Sequence, residues 1–209
     1  MIKECSFNTG VNAMLAEGLL KGVDGKVRCA WAGTDPLYCA YHDTEWGKPI
    51  FENIRLFEKI CLEGFQAGLS WFTILKKRFF FRIAFDHFDF EKIAHYDELK
   101  VQMLMQNKDI VRHQGKIQSV LNNALRAQEI ITEWGSLSHY FWSFQPPPSE
   151  RYEKIDFQTL LANPMTPASI RLSQDLKKRG WTFVGPTICY AFMQSVGIVN
   201  DHLEGCFCR

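Results

Sequence analysis

The sequence has no long apolar segment and no marked excess of charge of either sign. No apolar run approaches about 18 residues, the minimum length of a membrane-spanning helix. Glu17 interrupts the apolar stretch from Val11 to Leu20, so the pattern does not predict a secretory signal. We therefore expect a cytosolic protein that does not span a membrane.

The balance of charged residues limits the ligands that the whole surface can attract. The chain has 24 basic and 23 acidic side chains, for a formal net charge of +1. A uniformly basic coat is excluded, and any nucleic-acid surface must be local. Seven cysteines in a reducing compartment are expected to be thiols or metal ligands rather than disulfides.

The N-terminal residues differ in character from those that follow. Residues 1–27 contain several glycines and turn-prone pairs and show little periodicity. We expect them to form an extension that packs loosely or stays disordered. A chain of 209 residues is long enough for one well-filled core or for two small lobes packed together, and we expect residues 28–209 to form the domain.

Apolar residues recur with helical periodicity from Asn53 onward, and no alternating strand pattern is found. The predicted helices begin at Asn53, at Ser70, after Asp89, after Asp97, at about Arg112, at Pro167 and at Pro186. The longest is expected to end at Trp134, before Gly135. These patterns predict an all-α fold class.

The stretch from Cys29 to Gly47 combines aromatic residues with metal-ligand residue types. Gly33 and Pro36 interrupt any long element, which favours a loop here. Near the other end, His202 and Cys206 are four residues apart, a spacing that places both on one face if the segment is helical.

Cys29, His42, His202 and Cys206 together form a Cys2His2 set, the ligand number and type of a closed structural zinc site. Such a site would join the two ends of the domain, and Cys208 is a competing thiol for Cys206. The alternative is two free thiols and two surface histidines, and spacing alone does not decide between them.

A helix, a tight turn and a second helix are predicted between residues 167 and 197. The turn runs from Gly180 to Gly185, and its backbone amides would face outward at the start of the next helix. That arrangement suits a phosphate group without any base contact. The alternative is an ordinary helical hairpin with glycine caps.

Two basic clusters, Lys76-Lys77-Arg78 and Lys177-Lys178-Arg179, could contact a DNA backbone on either side of a groove. Basic residues also favour helix C-termini for electrostatic reasons, so both clusters could simply be solvated helix ends. The second cluster directly precedes the turn at Gly180, which makes Lys177, Lys178 and Arg179 candidate DNA contacts.

Glu63 follows a strongly apolar helix and lies among glycines that allow a ligand to approach closely. A carboxylate in that position could accept hydrogen bonds from donors on a base edge. The alternative is a solvated glutamate at the end of a helix.

Several motifs of the chain closely resemble those of the bacterial 3-methyladenine DNA glycosylase I family. The resemblance covers roughly residues 28–209 in collinear order. The motifs are DPLYCAYHDTEWG at 35–47, CLEGFQAGLSW at 61–71, RHQGKI at 112–117, FVGPTICY at 183–190 and NDHLEGC at 200–206.

This resemblance implies a helix-hairpin-helix enzyme that hydrolyses the N-glycosidic bond of 3-methyladenine in double-stranded DNA. It implies a structural zinc ion on Cys29, His42, His202 and Cys206. It places the glutamate that binds the excised base at Glu63. The implied aromatic base pocket consists of Trp31, Tyr38, Tyr41 and Trp71.

The catalytic mechanism is less well defined by the sequence. Related helix-hairpin-helix glycosylases use an aspartate after the hairpin, but Asp201 lies within the predicted zinc segment and is interpreted as a metal-supporting or capping residue. The hairpin has no lysine placed as a Schiff-base nucleophile, which predicts a monofunctional enzyme. Glu63 is the first candidate to activate water and Tyr41 the second.

Two other classes of protein remain as alternatives. One is a nucleic-acid-binding module on the same hairpin without turnover, which release of base from alkylated DNA would exclude. The other is a zinc hydrolase of small substrates, which a metal site fully occupied by protein ligands would exclude. A monomer is expected, because one enzyme on one lesion needs no symmetry.

Overall fold

Helix α2, Asn53–Gln66, is the centre of the fold, since every residue from Leu56 to Phe65 is buried. It packs against helices on several sides, and this explains why its sequence is apolar around most of its circumference. The computed structural model describes residues 15–209. Its described part is mostly helical, as the periodicity predicts.

The helices follow one another along the described chain. They are α1 Pro36–Thr44, α2, α3 Trp71–Ala84, α4 Phe90–Ile93, α5 Glu98–Gln106, α6 Gln114–Trp134, α7 Leu137–Trp142, α8 Phe157–Ala162, α9 Pro167–Lys178 and α10 Pro186–Ser195. Short 3-10 turns lie at Ala30–Ala32, Asp86–Phe88 and Pro148–Glu150. Helices α3, α6, α7 and α10 contact α2 directly.

The predicted helix starts are confirmed by their capping bonds. The Ser70 hydroxyl accepts from the backbone N–H of Thr73, and Asp89 and Asp97 cap α4 and α5 in the same way. Helix α6 ends at Gly135, which has a φ of 80° that a residue with a side chain rarely adopts.

The expectation of no β-strand is wrong for the described residues. Leu19–Lys21 (β1) pairs antiparallel with Val27–Cys29 (β2), with Leu19 opposite Cys29. Strands of three residues are too short to show an alternating pattern, so periodicity could not detect them. The expected boundary between residues 27 and 28 falls inside β2, and the first 14 residues of the expected extension lie outside the described part.

The expectation of a loop between Cys29 and Gly47 is also wrong, because α1 occupies much of it. Asp35 caps α1 by accepting from the N–H groups of Leu37 and Tyr38. Pro36 is the first residue of the helix, where its missing N–H costs nothing and its fixed φ is suitable. A proline interpreted as a breaker is therefore a helix start.

The C-terminal segment is not helical, so the spacing of four residues does not place His202 and Cys206 on one face of a helix. Residues 200–209 form turns, and the N–H of Phe207 donates to the carbonyl of Val27 over 2.9 Å. This bond joins the end of the chain to β2. Among residues 15–209, no helix has both the length and the apolarity needed to cross a membrane.

Candidate functional site

Two ionisable side chains of α2, Lys59 and Glu63, lie one helical turn apart in the protein interior. Glu63 is 4% exposed and Lys59 is 0% exposed. Burial raises the pKa of Glu63 to about 8, although the nearby Lys59 charge and the Ser195 hydroxyl favour its charged form. Burial also lowers the pKa of Lys59 to about 8.

The four predicted aromatic residues lie together next to this pair. The ring centroids of Tyr41 and Trp71 are 5.4 Å apart, and those of Trp31 and Tyr38 are 5.2 Å apart. Trp31 also contacts Tyr41, with a centroid distance of 6.4 Å. Sequence reasoning did not identify Phe72, whose ring stacks on Tyr38 at 5.1 Å and an interplanar angle of 12°.

Tyr41 is the most enclosed of these rings. It is 2% exposed, and burial together with the Glu63 charge raises the pKa of its phenol well above the usual value. The phenol therefore stays protonated near neutral pH, where it can donate a hydrogen bond but cannot act as a base.

Lys59 was not singled out by sequence analysis, yet its ammonium group faces these rings. Nζ lies 4.6 Å from the Tyr41 ring centroid and 5.9 Å from the Trp71 centroid. Within the described structure, neither Lys59 Nζ nor Trp71 Nε1 has a hydrogen-bond partner. The only signal in the sequence is a lysine four residues before Glu63, on the same face of a helix that is rich in apolar residues.

The carbonyl end of α2 is held by a second buried lysine. Lys116 Nζ donates to the carbonyl of Phe65 over 2.9 Å and also to that of Ala67. These bonds satisfy carbonyls that have no partner within the helix, and they fix the end that carries Glu63.

The predicted metal ligands also come together, from β2, α1 and the C-terminal segment. The ligand atoms of Cys29, His42 and Cys206 all lie within 4.8 Å of one another. The Sγ atom of Cys206 is 3.4 Å from Nε2 of His42, a separation compatible with two ligands of one tetrahedral ion. All three residues are buried.

His202 belongs to a neighbouring group, with His42 and Cys208, whose ligand atoms also lie within 4.8 Å of one another. His42 is common to both groups. The four predicted ligands therefore fall into two groups that share His42, and the thiol grouped with His202 is Cys208 and not Cys206.

Each histidine has its Nδ1 atom bonded, which leaves Nε2 as the ring nitrogen that could ligate a metal. His42 Nδ1 lies 2.9 Å from Oδ1 of Asp43, and His202 Nδ1 lies 2.8 Å from Oδ1 of Asn200. Partners of this kind orient imidazoles that ligate a metal through the other nitrogen. The donor set and its outer bonds therefore fit a divalent ion such as zinc.

Asp201 does not bond to either histidine, contrary to the interpretation that it supports the metal. Its Oδ2 accepts a hydrogen bond from the Tyr190 hydroxyl over 2.6 Å and another from Nε2 of Gln194 over 2.8 Å. The neighbouring Asn200 has the role that was expected of Asp201.

The turn between α9 and α10 is held by side chains from α6 and from α9 itself. Asn123 of α6 donates to the carbonyl of Thr182 and accepts from its N–H, both over 3.0 Å. Ser173 donates to the carbonyl of Val184 over 2.6 Å. Gly185 is the N-cap of α10 and makes no side-chain cap bond, so its helix start presents backbone amides.

The three basic residues before this turn have different environments. Lys177 and Lys178 are exposed. Arg179 instead donates to Glu133 over 2.6 Å and to Asp175 over 2.6 Å. Lys177 and Lys178 therefore have freer cationic groups than Arg179.

Comparison with known proteins gives consistent matches over most of the chain. The family model described as methyladenine glycosylase matches residues 31–209. The DNA-3-methyladenine glycosylase 1 of Escherichia coli is 47% identical over 184 residues, which cover 87% of this chain and 96% of that protein.

Two solved structures agree in fold. One, a crystal structure of a 3-methyladenine DNA glycosylase I, has 48% identity and a TM-score of 0.82 and covers 87% of this chain and 99% of its own. The 3-methyladenine DNA glycosylase I of Staphylococcus aureus has 32% identity and a TM-score of 0.80, with 87% and 95% covered. The chain therefore belongs to the methyladenine glycosylase family.

Proposed function

We propose that this protein excises 3-methyladenine from alkylated double-stranded DNA by hydrolysis of the N-glycosidic bond, as a monofunctional base excision repair enzyme. Family membership makes the chain a DNA N-glycosylase. The observation that carries the substrate assignment is the buried carboxyl group of Glu63 next to the aromatic rings of Tyr41 and Trp71. Such a site suits a flat base with exocyclic N–H donors.

Access to the glycosidic bond requires that the damaged nucleotide rotate out of the helix, at a cost of a few kcal/mol. The aromatic residues Trp31, Tyr38, Tyr41 and Trp71 would receive the flipped base by stacking and edge contacts. Alkylation at N3 gives the base a positive charge, and each aromatic face favours a cation by about 0.5–2 kcal/mol. Glu63 would accept hydrogen bonds from the exocyclic amine, which adds selectivity.

The same positive charge makes the base a good leaving group that needs little help from a general acid. Of the two candidate residues for catalysis, Glu63 is the one that can accept a proton or orient water once it is ionised. Tyr41 would serve as a donor and a stacking surface, since its phenol remains protonated.

One zinc ion, held by Cys29, His42, His202 and Cys206, would have a structural role. Four protein ligands leave no open coordination position, and the ion would contribute folding free energy by joining β2 and α1 to the C-terminal segment. The buried donor set and the bonded Nδ1 atoms of both histidines support this assignment.

DNA would be bound through the backbone amides of the turn from Gly180 to Gly185 and through Lys177, Lys178 and Arg179. Amides at a helix start bind phosphate without reading the sequence, which suits an enzyme that searches all DNA for a lesion. We expect the enzyme to act in the cytoplasm as a monomer.

The decisive experiment is release of bases from methylated duplex DNA, with each purine identified by chromatography. Free 3-methyladenine with little 7-methylguanine supports both the reaction and the narrow pocket. Release of both bases would retain the reaction and contradict the selectivity assigned to Glu63. DNA binding without release would favour a non-catalytic DNA-binding protein.

A further inference from the structure

The buried ammonium group of Lys59 has no role in the function proposed above, although it lies within the candidate base pocket. Its side chain is fully enclosed, and Nζ lies over the Tyr41 ring at 4.6 Å from the centroid. None of its N–H groups has an acceptor within the described residues. A buried, unpaired ammonium is costly, and a protein that retains one requires a physical explanation.

The charged groups around Lys59 do not neutralise it. The nearest carboxylate oxygen, Oε2 of Glu45, is 3.9 Å from Nζ, too far for a hydrogen bond. Both oxygens of Glu45 already accept from Arg78, which is a bidentate pair, and Arg55 approaches the same carboxylate. The remaining anion is Glu63, one turn further along α2, whose charged form is disfavoured by burial.

We propose that Lys59 is a specificity-determining residue that disfavours the positively charged base and favours the neutral base that departs. This inference rests on the proposed excision of a cationic base. When the bond between N9 and C1′ breaks, its electron pair returns to the base, and the positive charge moves to the sugar. Water then adds to C1′ and loses a proton.

The charge of the base falls from +1 to zero in this step, so its repulsion by a neighbouring ammonium also disappears. An interaction that penalises the bound substrate more than the transition state raises kcat. The ammonium N–H groups, which lack an acceptor in the free protein, gain one in the nitrogen lone pairs of the neutral base. Glu63 and the aromatic rings hold the base in both states.

Equilibrium binding of two free bases tests this directly. The probes are 3-methyladenine, which is neutral near neutral pH, and 3,9-dimethyladeninium, which carries a permanent positive charge like the base in DNA. Kd for each is measured by quenching of tryptophan fluorescence in the wild-type protein and in Lys59→Met, which preserves side-chain length without charge. Lys100→Met is the matched control, because Lys100 also lies over a tyrosine ring, at 4.8 Å from Tyr96, outside the candidate pocket.

The wild-type protein should prefer the neutral probe, and Lys59→Met should shift the ratio of the two Kd values by about tenfold toward the cation, equivalent to about 1.4 kcal/mol. Lys100→Met should leave the ratio unchanged. On methylated DNA, Lys59→Met should lower kcat and KM together, a combination that simple loss of stability does not produce.

Equal ratios in the wild type and Lys59→Met would overturn the inference. The pH profile of the ratio gives a second test, measured in Glu63→Gln so that the carboxyl group that also titrates near pH 8 is absent. In that protein the ratio should move toward the cation above about pH 8, where Lys59 loses its proton. A ratio that does not change with pH would also overturn it. If neither base binds and no base is released, the proposed function itself fails, whereas binding and release with unchanged ratios refute Lys59 alone.

Discussion

Nδ1 of His42 lies 2.9 Å from Oδ1 of Asp43, and the same carboxylate accepts two hydrogen bonds from Arg28 of β2. Asp43 therefore orients the imidazole and also ties α1 to the hairpin. Arg28 in turn pairs with Asp24 in the turn of that hairpin. The geometry of the proposed metal site is thus supported by an ionic network around it.

Replacement of Asp43 by Asn should weaken zinc binding by about 10–100-fold, the usual effect of a lost outer partner of a ligating histidine. The measurement is competition for zinc with a chromogenic chelator. Asp24→Asn is the matched control, since it removes the other carboxylate of Arg28 without touching His42. Equal zinc affinity in Asp43→Asn and the wild type would contradict an orienting role for Asp43.

The zinc content of serine variants shows which of Cys206 and Cys208 is the metal ligand. The resemblance places the ligand at Cys206, whose Sγ is 3.4 Å from Nε2 of His42. The potential ligand group that contains His202, however, includes Cys208. We expect Cys206→Ser to lose most of its zinc and to have a lower Tm, because metal binding contributes to folding. Cys208→Ser should retain both.

Elemental analysis of the purified variants gives the stoichiometry, and the wild type prepared in parallel is the reference. If Cys208→Ser loses zinc and Cys206→Ser does not, the ligand set is Cys29, His42, His202 and Cys208. If all proteins are fully folded without zinc, the structural metal site is refuted.

Much of the helical framework could be predicted from the sequence because its signals are local. Ser70, Asp89 and Asp97 cap helices through bonds to residues two or three positions away, and apolar periodicity identifies α2 and α6. The hairpin could not be predicted in this way, since its register depends on the pairing of Leu19 with Cys29 across a turn. Helix α1 was missed because the position of Pro36 within the helix decides its effect.

The candidate site was predictable only where motifs carry a resemblance. Glu63 and the aromatic residues lie together as that resemblance implies. Lys59 could not be assigned in advance, because its burial and its lack of an acceptor depend on Tyr41, Trp71 and Glu45, which come from two other helices and a loop. The outer partners Asp43 and Asn200 likewise require three-dimensional geometry.

Glu63→Gln should reduce excision of 3-methyladenine by at least about tenfold and leave binding to undamaged duplex DNA nearly unchanged. Glutamine retains the shape but cannot lose a proton when the cationic base binds, so it can neither offset that charge nor orient water as a carboxylate. Single-turnover release of the base and DNA affinity are measured on the same protein. Equal losses in the two assays would indicate that Glu63 has a structural role.

The buried carboxyl group of Glu63 also predicts a pH dependence of stability. The folded protein retains this proton up to about pH 8, whereas in the unfolded chain the group ionises near its ordinary value of 4.5. The folded state therefore binds more protons in this window, and the contribution of Glu63 to the free energy of unfolding falls as pH rises from about 4.5 to 8.

The glutamine in Glu63→Gln does not titrate, so this variant lacks the pH-dependent contribution of Glu63 to the free energy of unfolding. Its free energy of unfolding relative to the wild type should increase by about 1 kcal/mol or more between pH 5 and pH 8. Urea unfolding at the two pH values measures the difference. A constant difference would mean that Glu63 has a similar pKa in the folded and unfolded states.

Asn123 fixes the turn between α9 and α10 through two hydrogen bonds to the backbone of Thr182, and it is 3% exposed. Asn123→Ala should lower the free energy of unfolding by about 1–3 kcal/mol, because it removes two part-buried hydrogen bonds to the backbone of the turn. It should also weaken binding to undamaged duplex DNA, since the amides that would face a phosphate lose their fixed orientation. Asn122→Ala is the graded comparison, as Asn122 makes one bond to this turn, to the carbonyl of Gly180.

If Asn123→Ala is destabilised but binds DNA with wild-type affinity at a temperature where it is fully folded, this turn does not contact the DNA backbone. A parallel loss of affinity and of its salt dependence would instead support phosphate contact at the turn.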